Sequence, residues 1–376
     1  MTKPIAIVSL FIFLFFLLST FAQLFIILGI YYPLCSYKSS ELKFNNQLTF
    51  PSVSIVVCAH NELEQLKKLI PILLSQNHQQ YEVIVVDDRS DDGTEEWLRS
   101  IGSEKLKYTY LKSTLLGWNS KKFALHQGIS RATNDIILLT DADCIPSSSH
   151  WLTLMTKELV FPKEASIGYA PYLKENTFLN RIIRFETLMT AVHYFSIAIK
   201  GLPYMGVGRN MAYSKQLFEK NNGVEKYKNL MGGDDDLFAQ TAFSAGNTVV
   251  QLNPLSFVYS VPKRTYFSWF HQKTRHLNVG KNYSFSIRLI LGLIIGSYFS
   301  FYLSFFTLLC LETYIGLSLM LFIFRTFLLI SIFVRLNSKF KEDFKWYWIP
   351  ILDAVYIFNY MFIGINTYFF NRNKWK

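Results

Sequence analysis

Ile136-Ile137-Leu138-Leu139-Thr140-Asp141-Ala142-Asp143 is the stretch that decides how this chain reads. An apolar run closed by a β-branched residue stops at two carboxylates spaced two apart. A short run of this kind is a strand buried on both faces. The pattern stands twice more upstream. Val53-Ser54-Ile55-Val56-Val57 runs into Cys58-Ala59-His60-Asn61-Glu62, and Val83-Ile84-Val85-Val86 runs into Asp87-Asp88. Helix-length segments separate these runs. Glu62 to Ser75 carries Leu63, Leu66, Leu69, Ile70, Leu73 and Leu74 at near-helical spacing. A second helix starts near Thr94, with Glu95 and Glu96 in its first turn, and Lys121 to Ala132 supplies a third. With a short strand at Lys107 to Leu111, the order predicts an α/β domain built on a doubly wound, mostly parallel sheet. Ligands in such sheets sit beyond the carboxyl ends of the strands. The acids collect there without a Gly-rich phosphate loop, which points to a nucleotide held partly through a metal ion.

Outward from this core the composition changes. The mean hydropathy is +0.20, too apolar for an ordinary soluble protein. Pro4 to Tyr37 holds no charged residue and is longer than the roughly 7–15 residues of a signal-peptide core. It reads as a retained N-terminal anchor (1–37), since roughly 20 such residues span a bilayer. Residues 38–286 read as one large domain. Residues 287–376 hold two to three further membrane helices, drawn from Leu289–Leu311, Thr313–Val334 and Trp346–Phe370. Arg325 and Asp353 interrupt the last two. Either they pair between neighbouring helices, or one segment lies in the interface. Leu179 to Ile199, apolar and aromatic, reads as a core helix of the domain, with a helix on the membrane surface as the alternative.

The net charge is +11, but the lysines and arginines are dispersed and no basic-aromatic recognition motif appears, so nucleic acid is not the partner. Basic residues beside apolar segments mark a cytoplasmic face and contact with anionic lipid. The Arg335-to-Lys345 loop fits that, and so does the tail 371–376, although four spanning segments would set loop and tail on opposite sides. Cys35, Cys58, Cys144 and Cys310 form no spacing pattern and read as small buried residues.

Several groups are able to do chemistry. Asp141 and Asp143 point the same way from an extended segment, roughly 6–7 Å apart. A divalent cation relieves their repulsion, and hard oxygen ligands select Mg²⁺ or Mn²⁺. Asp88 is placed to bond a base or ribose, whereas Asp91 and Asp92 read as turn and capping residues. Asn61 and Glu62 line a base pocket, or Asn61 caps the following helix. Asp234-Asp235-Asp236 follows Gly232-Gly233; dipole compensation accounts for one or two of these acids, and a third suggests a base that takes a hydroxyl proton. Gln272, Arg275 and His276 share a helical face, and Arg suits a diphosphate. The Gly-rich turn Gly206 to Asn210 adds Arg209 and Asn210 as diphosphate or acceptor candidates.

Taken together, Val53-to-Glu62, Val85-to-Thr94, Lys121-to-Leu125, Asp141-Ala142-Asp143, Gly233-Asp234-Asp235 and Gln272-x-x-Arg275 resemble the membrane-bound family 2 glycosyltransferases, over about Val53 to Lys281. The resemblance implies a GT-A fold with transmembrane helices at both ends, a nucleotide-diphosphate sugar donor (UDP in the family's commonest case) and inversion at the anomeric carbon. It implies that Ala59, Asn61, Glu62, Asp88, Lys121 and Asp141 contact the donor nucleotide. Asp141 and Asp143 would hold the metal. Asp235 would be the general base, with Asp234 and Asp236 as neighbours in an open register. His276 stands where the polysaccharide synthases carry Trp, which argues for a transferase adding one or a few sugars to a lipid or glycan acceptor rather than a processive polymerase. The expected location is the cell membrane, multi-pass, with the catalytic domain cytoplasmic.

Overall fold

The protein is described by a computed structural model covering residues 3–39 and 50–369. The basic tail 371–376 and the linker 40–48 lie outside the described residues. The chain divides into two compact units. One takes the chain up to Tyr37, Asn176–Ser196 and the residues from Thr265 onward; the other takes Lys38–Glu175 and Ile197–Arg264. The α/β unit is drawn from two stretches of the chain, with Asn176–Ser196 belonging to the other unit.

The second unit is the α/β layer. Its strands are β1 (Val53–Ala59), β2 (Tyr81–Asp87), β3 (Leu106–Tyr110), β4 (Ile136–Asp141), β5 (Cys144–Pro146), β6 (Ala165–Gly168), β7 (Met211–Ser214), β8 (Thr248–Gln251) and β9 (Val258–Ser260). Seven of them form one sheet in the order β3-β2-β1-β4-β7-β6-β8, and β5 pairs with β9. Pairing is parallel from β3 through β4, whereas β7 runs antiparallel to both β4 and β6. The four strands read from sequence are present and almost fully buried in β1, β2 and β4, as expected for a sheet covered on both sides. Ile55, Val57, Val83, Val85 and Leu138 pack with Leu66, Leu69, Ile70 and Leu73 of the helix Leu63–Leu74 in the main core.

On the other face the helix Ser120–Arg131 lies close to the strands. A Cβ on Gly128 would sit 2.5 Å from Val56 Cγ1 and 3.0 Å from Val86 Cγ2. Gly128→Ala is expected to destabilise the protein by about 1–3 kcal/mol through overpacking, read as a lowered thermal midpoint of the purified full chain.

The first unit is helical. Lys3–Phe25 continues through a π-helical turn, Ile26–Tyr31, into Tyr32–Ser36; Phe285–Cys310, Ile315–Lys339 and Trp348–Phe369 follow at the other end of the sequence. Three C-terminal helices are present, the upper end of the expected range. Arg325 and Asp353 do pair, at 2.5 Å, and both side chains are fully buried. Gln23 of the N-terminal helix accepts from the Arg325 guanidinium at 2.6 Å and donates to Ser297 Oγ at 2.8 Å, and Tyr302 donates to Asp353 at 2.8 Å. One polar cluster thus joins the N-terminal helix to the three C-terminal ones.

Phe178–Ile199 is also long and apolar enough to cross a membrane. It is mostly buried, but the bulk of it packs in the helical unit and not in the α/β core. Arg184 bonds Glu342 and Asp343, Glu186 pairs with Lys273, and His193 bonds the Tyr31 hydroxyl at 2.8 Å. The chain leaves the α/β unit before this helix and returns to it afterwards. The flanking strands β6 and β7 are hydrogen-bonded neighbours. A single crossing would put them on opposite faces of a membrane, so this helix does not cross.

Candidate active site

Three strand ends and one reversed strand bring the acids together. The loops after β1 and β2 are laced to each other. Asp88 N–H donates to Ala59 O at 2.8 Å, Asn61 N–H donates to Ser90 Oγ at 2.9 Å, and Asn61 Oδ1 accepts from Asp91 N–H at 2.9 Å. Asn61 holds a left-handed φ of 56°, and Arg89 one of 61°. The alternative of Asn61 as a helix cap is not what forms. Asp92 does the capping: Oδ2 accepts from Leu63 N–H at 2.9 Å and Oδ1 from Thr94 N–H at 3.2 Å, so one carboxylate starts two helices. Asp87 is buried and accepts from Ser90 N–H, a structural role.

Asp88 is buried and grips the Arg89 guanidinium, with Nε at 2.9 Å; the same guanidinium reaches Ser120 Oγ at 3.0 Å. Sequence reasoning assigned Arg89 no role, although it lies inside the quoted motif. The His60 ring bonds Asp88 O at 2.6 Å and completes this wall. Burial, and then Asp143, push the Glu62 carboxyl up, which places Glu62 in the field of the Asp141–Asp143 pair.

Lys121 ties the halves together. Its Nζ is 2.9 Å from Asp141 Oδ1 at the end of β4 and 3.9 Å from Asp234 Oδ2. Asp141 first, then Asp234, hold the Lys121 ammonium protonated well above its usual range. Lys122 instead turns inward and donates to Tyr227 O at 2.6 Å.

Gly232 and Gly233 take left-handed φ values of 83° and 80° immediately before the acids, a turn that disfavours side chains. Asp235 is the N-cap of the helix Asp236–Ala242: Oδ1 accepts from Asp236 N–H and Oδ2 from Gly208 N–H, both at 2.9 Å. Burial and Asp234 push the Asp235 carboxyl up, against these two hydrogen bonds and Lys121. Asp236 is buried in the first helical turn and accepts from Leu237 N–H.

The Gly206–Asn210 turn therefore meets the acid turn, but its two polar side chains face elsewhere. Arg209 donates to Ala170 O at 2.7 Å and lies over the Tyr172 ring. Asn210 is fully buried, with its amide spent on Trp151 Nε1–H, Tyr169 O and Ser256 O. It braces the turn instead of presenting itself to a ligand. Gln272, Arg275 and His276 belong to the helix Tyr266–Val279 of the helical unit.

Asp141, Asp143 and Cys144 place ligand atoms within 4.8 Å of one another. The Cys144 thiol is buried and 3.1 Å from Ser260 Oγ, and a soft sulfur suits a hard divalent cation less well than the two carboxylates do. That leaves two carboxylates with room for water and phosphate oxygens. This donor set fits a hard divalent cation.

Residues 54–221 match the family model described as Glycosyl transferase family 2. The chain is 36% identical over 104 residues to a 4,4'-diaponeurosporenoate glycosyltransferase of Staphylococcus haemolyticus, covering 28% of this chain and 27% of that one. It is 34% identical over 119 residues to a beta-monoglucosyldiacylglycerol synthase of Trichormus variabilis, covering 30% and 25%. The matched stretch thus spans between a quarter and a third of these relatives. Among solved structures, the mannosyltransferase PcManGT of Pyrobaculum calidifontis, in complex with GDP-Man and Mn²⁺, aligns over 97% of this chain and 99% of its own with a TM-score of 0.63 at 17% identity. The parallel sheet, its one reversed strand and the family match agree: this chain carries a family 2 glycosyltransferase domain of the GT-A fold.

Proposed function

We propose that the protein transfers a sugar, with inversion, from a nucleotide-diphosphate sugar (UDP as the first nucleotide to test) to a hydroxyl of a membrane-associated lipid or glycan. The observation that carries this is the Lys121 bridge, which sets the Asp141 strand end and the Asp234–Asp235 turn around one ammonium. Donor side and base side of a displacement then share a single edge of the sheet. Asp88 and Glu62 form the nucleotide wall. Asp141 and Asp143 would hold Mg²⁺ or Mn²⁺, which when bound supplies charge stabilisation to the leaving diphosphate. Asp235 accepts the acceptor's proton. Positioning supplies much of the rate, because base and donor site come from distant segments. The two relatives are named for 4,4'-diaponeurosporenoate and for monoglucosyldiacylglycerol, and the second name supports a lipid acceptor here.

The helices support a multi-pass membrane location. Lys339 bonds the carbonyls of Cys35 and Tyr37, so the Arg335-to-Lys345 loop lies at the same end of the bundle as the exit of the N-terminal helix toward the catalytic unit. This loop is basic and is followed by Trp346, Tyr347 and Trp348, the composition of a cytoplasmic interface. This supports a cytoplasmic catalytic unit.

A thermal-shift panel of nucleotide sugars with and without Mn²⁺, followed by transfer to extracted lipids, tests the reading. One donor should raise the melting point in a metal-dependent way, and Asp143→Ala should remove the metal-dependent part of that shift. An unchanged metal dependence would take Asp143 out of the site.

A further inference from the structure

We propose that residues 111–119 and 225–231 form a lip that inserts into the anionic face of a phospholipid bilayer beside the acid turn. The strand β3 is parallel to β2, so the loop that follows it emerges at the sheet edge where the carboxylates gather. In that loop Leu115 is 58% exposed and Leu116 is 97% exposed. Gly117, with φ of 83°, makes the bend, and Trp118 braces it by packing edge-on against Phe123 and His126. The tip therefore projects on a fixed base.

The second segment is tied to the first. Asn119 N–H donates to Lys228 O at 2.6 Å, and the Lys228 ammonium lies 5.7 Å from the Trp118 ring. From there the chain runs through Gly232-Gly233 directly into Asp234. Lys112, Lys226 and Lys228 are all exposed around the tip, and Glu225 is the one acid in the two segments. A second apolar tip, Val160-Phe161, precedes β6 and so lies at the opposite edge of the sheet.

Shape and charge choose the occupant. A projecting leucine is built to penetrate an apolar phase, whereas a lipid tail needs a concave groove. Flanking lysines match anionic headgroups. The chain passes between this unit and the helical unit at 175–176, 196–197 and 264–265, and the helical unit carries the long apolar helices at both ends of the sequence, so the bilayer holding those is the apolar phase tied to it. The lip would bring a headgroup hydroxyl toward Asp235. The inference deepens the proposed membrane acceptor and rests on it, but its test reads lipid contact and not transfer.

The full chain carrying Cys35→Ser, Cys310→Ser and Leu116→Cys is labelled with an environment-sensitive dye and placed in nanodiscs. Cys58 and Cys144 remain, their thiols pushed up in pKa by burial and slow to react. In discs of phosphatidylcholine mixed with phosphatidylglycerol, the dye should emit at shorter wavelength and be quenched by lipids brominated on the acyl chain. The shift should shrink in phosphatidylcholine alone, or when Lys112, Lys226 and Lys228 become Gln. A dye placed instead by Phe161→Cys should stay water-like. A water-like, unquenched dye at position 116 in both discs overturns the proposal, as does a shift that appears only when extracted acceptor lipids are added. A quenched dye with no transfer activity would sink the transferase reading and leave the lip standing; active transfer with an unquenched dye would do the reverse.

Discussion

Asp235→Asn is expected to lower sugar transfer by about 10²- to 10⁴-fold, the range for loss of a general base, while binding of the donor survives. The substitution keeps the size of the side chain, and an amide oxygen can still accept one of the two N–H groups, from Gly208 or Asp236, that fix the carboxylate. What it removes is the proton acceptor. Burial and the neighbouring Asp234 push the Asp235 carboxyl up. The base is therefore active only when ionised, above that raised value, and the wild-type rate should fall as pH drops through it. The variant's residual rate should lack this acid limb. Single-turnover transfer across pH, with calorimetric titration of the donor, measures both. Asp236→Asn behaves differently: its carboxylate is buried against the start of a helix. It should lower stability more than turnover per folded molecule. Near-normal turnover of Asp235→Asn would reject the assignment.

The second large effect concerns folding. Arg325→Leu leaves Asp353 fully buried among apolar helices without its cation. Stranding one partner of a buried pair costs about 3–5 kcal/mol. The change also takes the donors away from Gln23 Oε1, so the N-terminal helix loses its polar link to the others. We expect little monodisperse protein from this variant in detergent, and the same from Asp353→Leu. The exchange Arg325→Asp with Asp353→Arg should recover much of the folded yield, because the Gln23 amide can donate to a carboxylate as readily as it accepts from a guanidinium. No recovery in the double variant, measured by size exclusion and thermal unfolding, would show that the pair does not hold the bundle.

The parallel half of the sheet was legible because its signals are local. β1, β2 and β4 are unbroken apolar runs, each ending in the polar residues that later meet at one edge. The Arg325–Asp353 pair was one of two readings open in the sequence, because two opposite charges in apolar segments have few places to go. Asn210 could not be read correctly. A Gly-rich turn with Arg and Asn suggests ligand contacts, and nothing local announces that Trp151, Tyr169 and Ser256 converge on its amide. The helix Phe178–Ile199 was misplaced because its apolar, aromatic composition resembles that of a core helix; only pairing of β6 with β7 and its bonds to residues far along the chain locate it. Arg89 was passed over since its partner is its immediate neighbour, a pairing that spacing arguments do not seek.

The reversed direction of β7 divides responsibilities along the gene. The residues proposed for the base, the ribose and the metal lie in one continuous stretch, Ala59 to Asp143, whereas the turn that steadies Asp235 arrives only because β7 enters the sheet from the opposite end. Exchange of residues 200–236 between relatives would therefore move the proposed base and its support without touching the stretch proposed for the nucleotide, a modularity open to recombination.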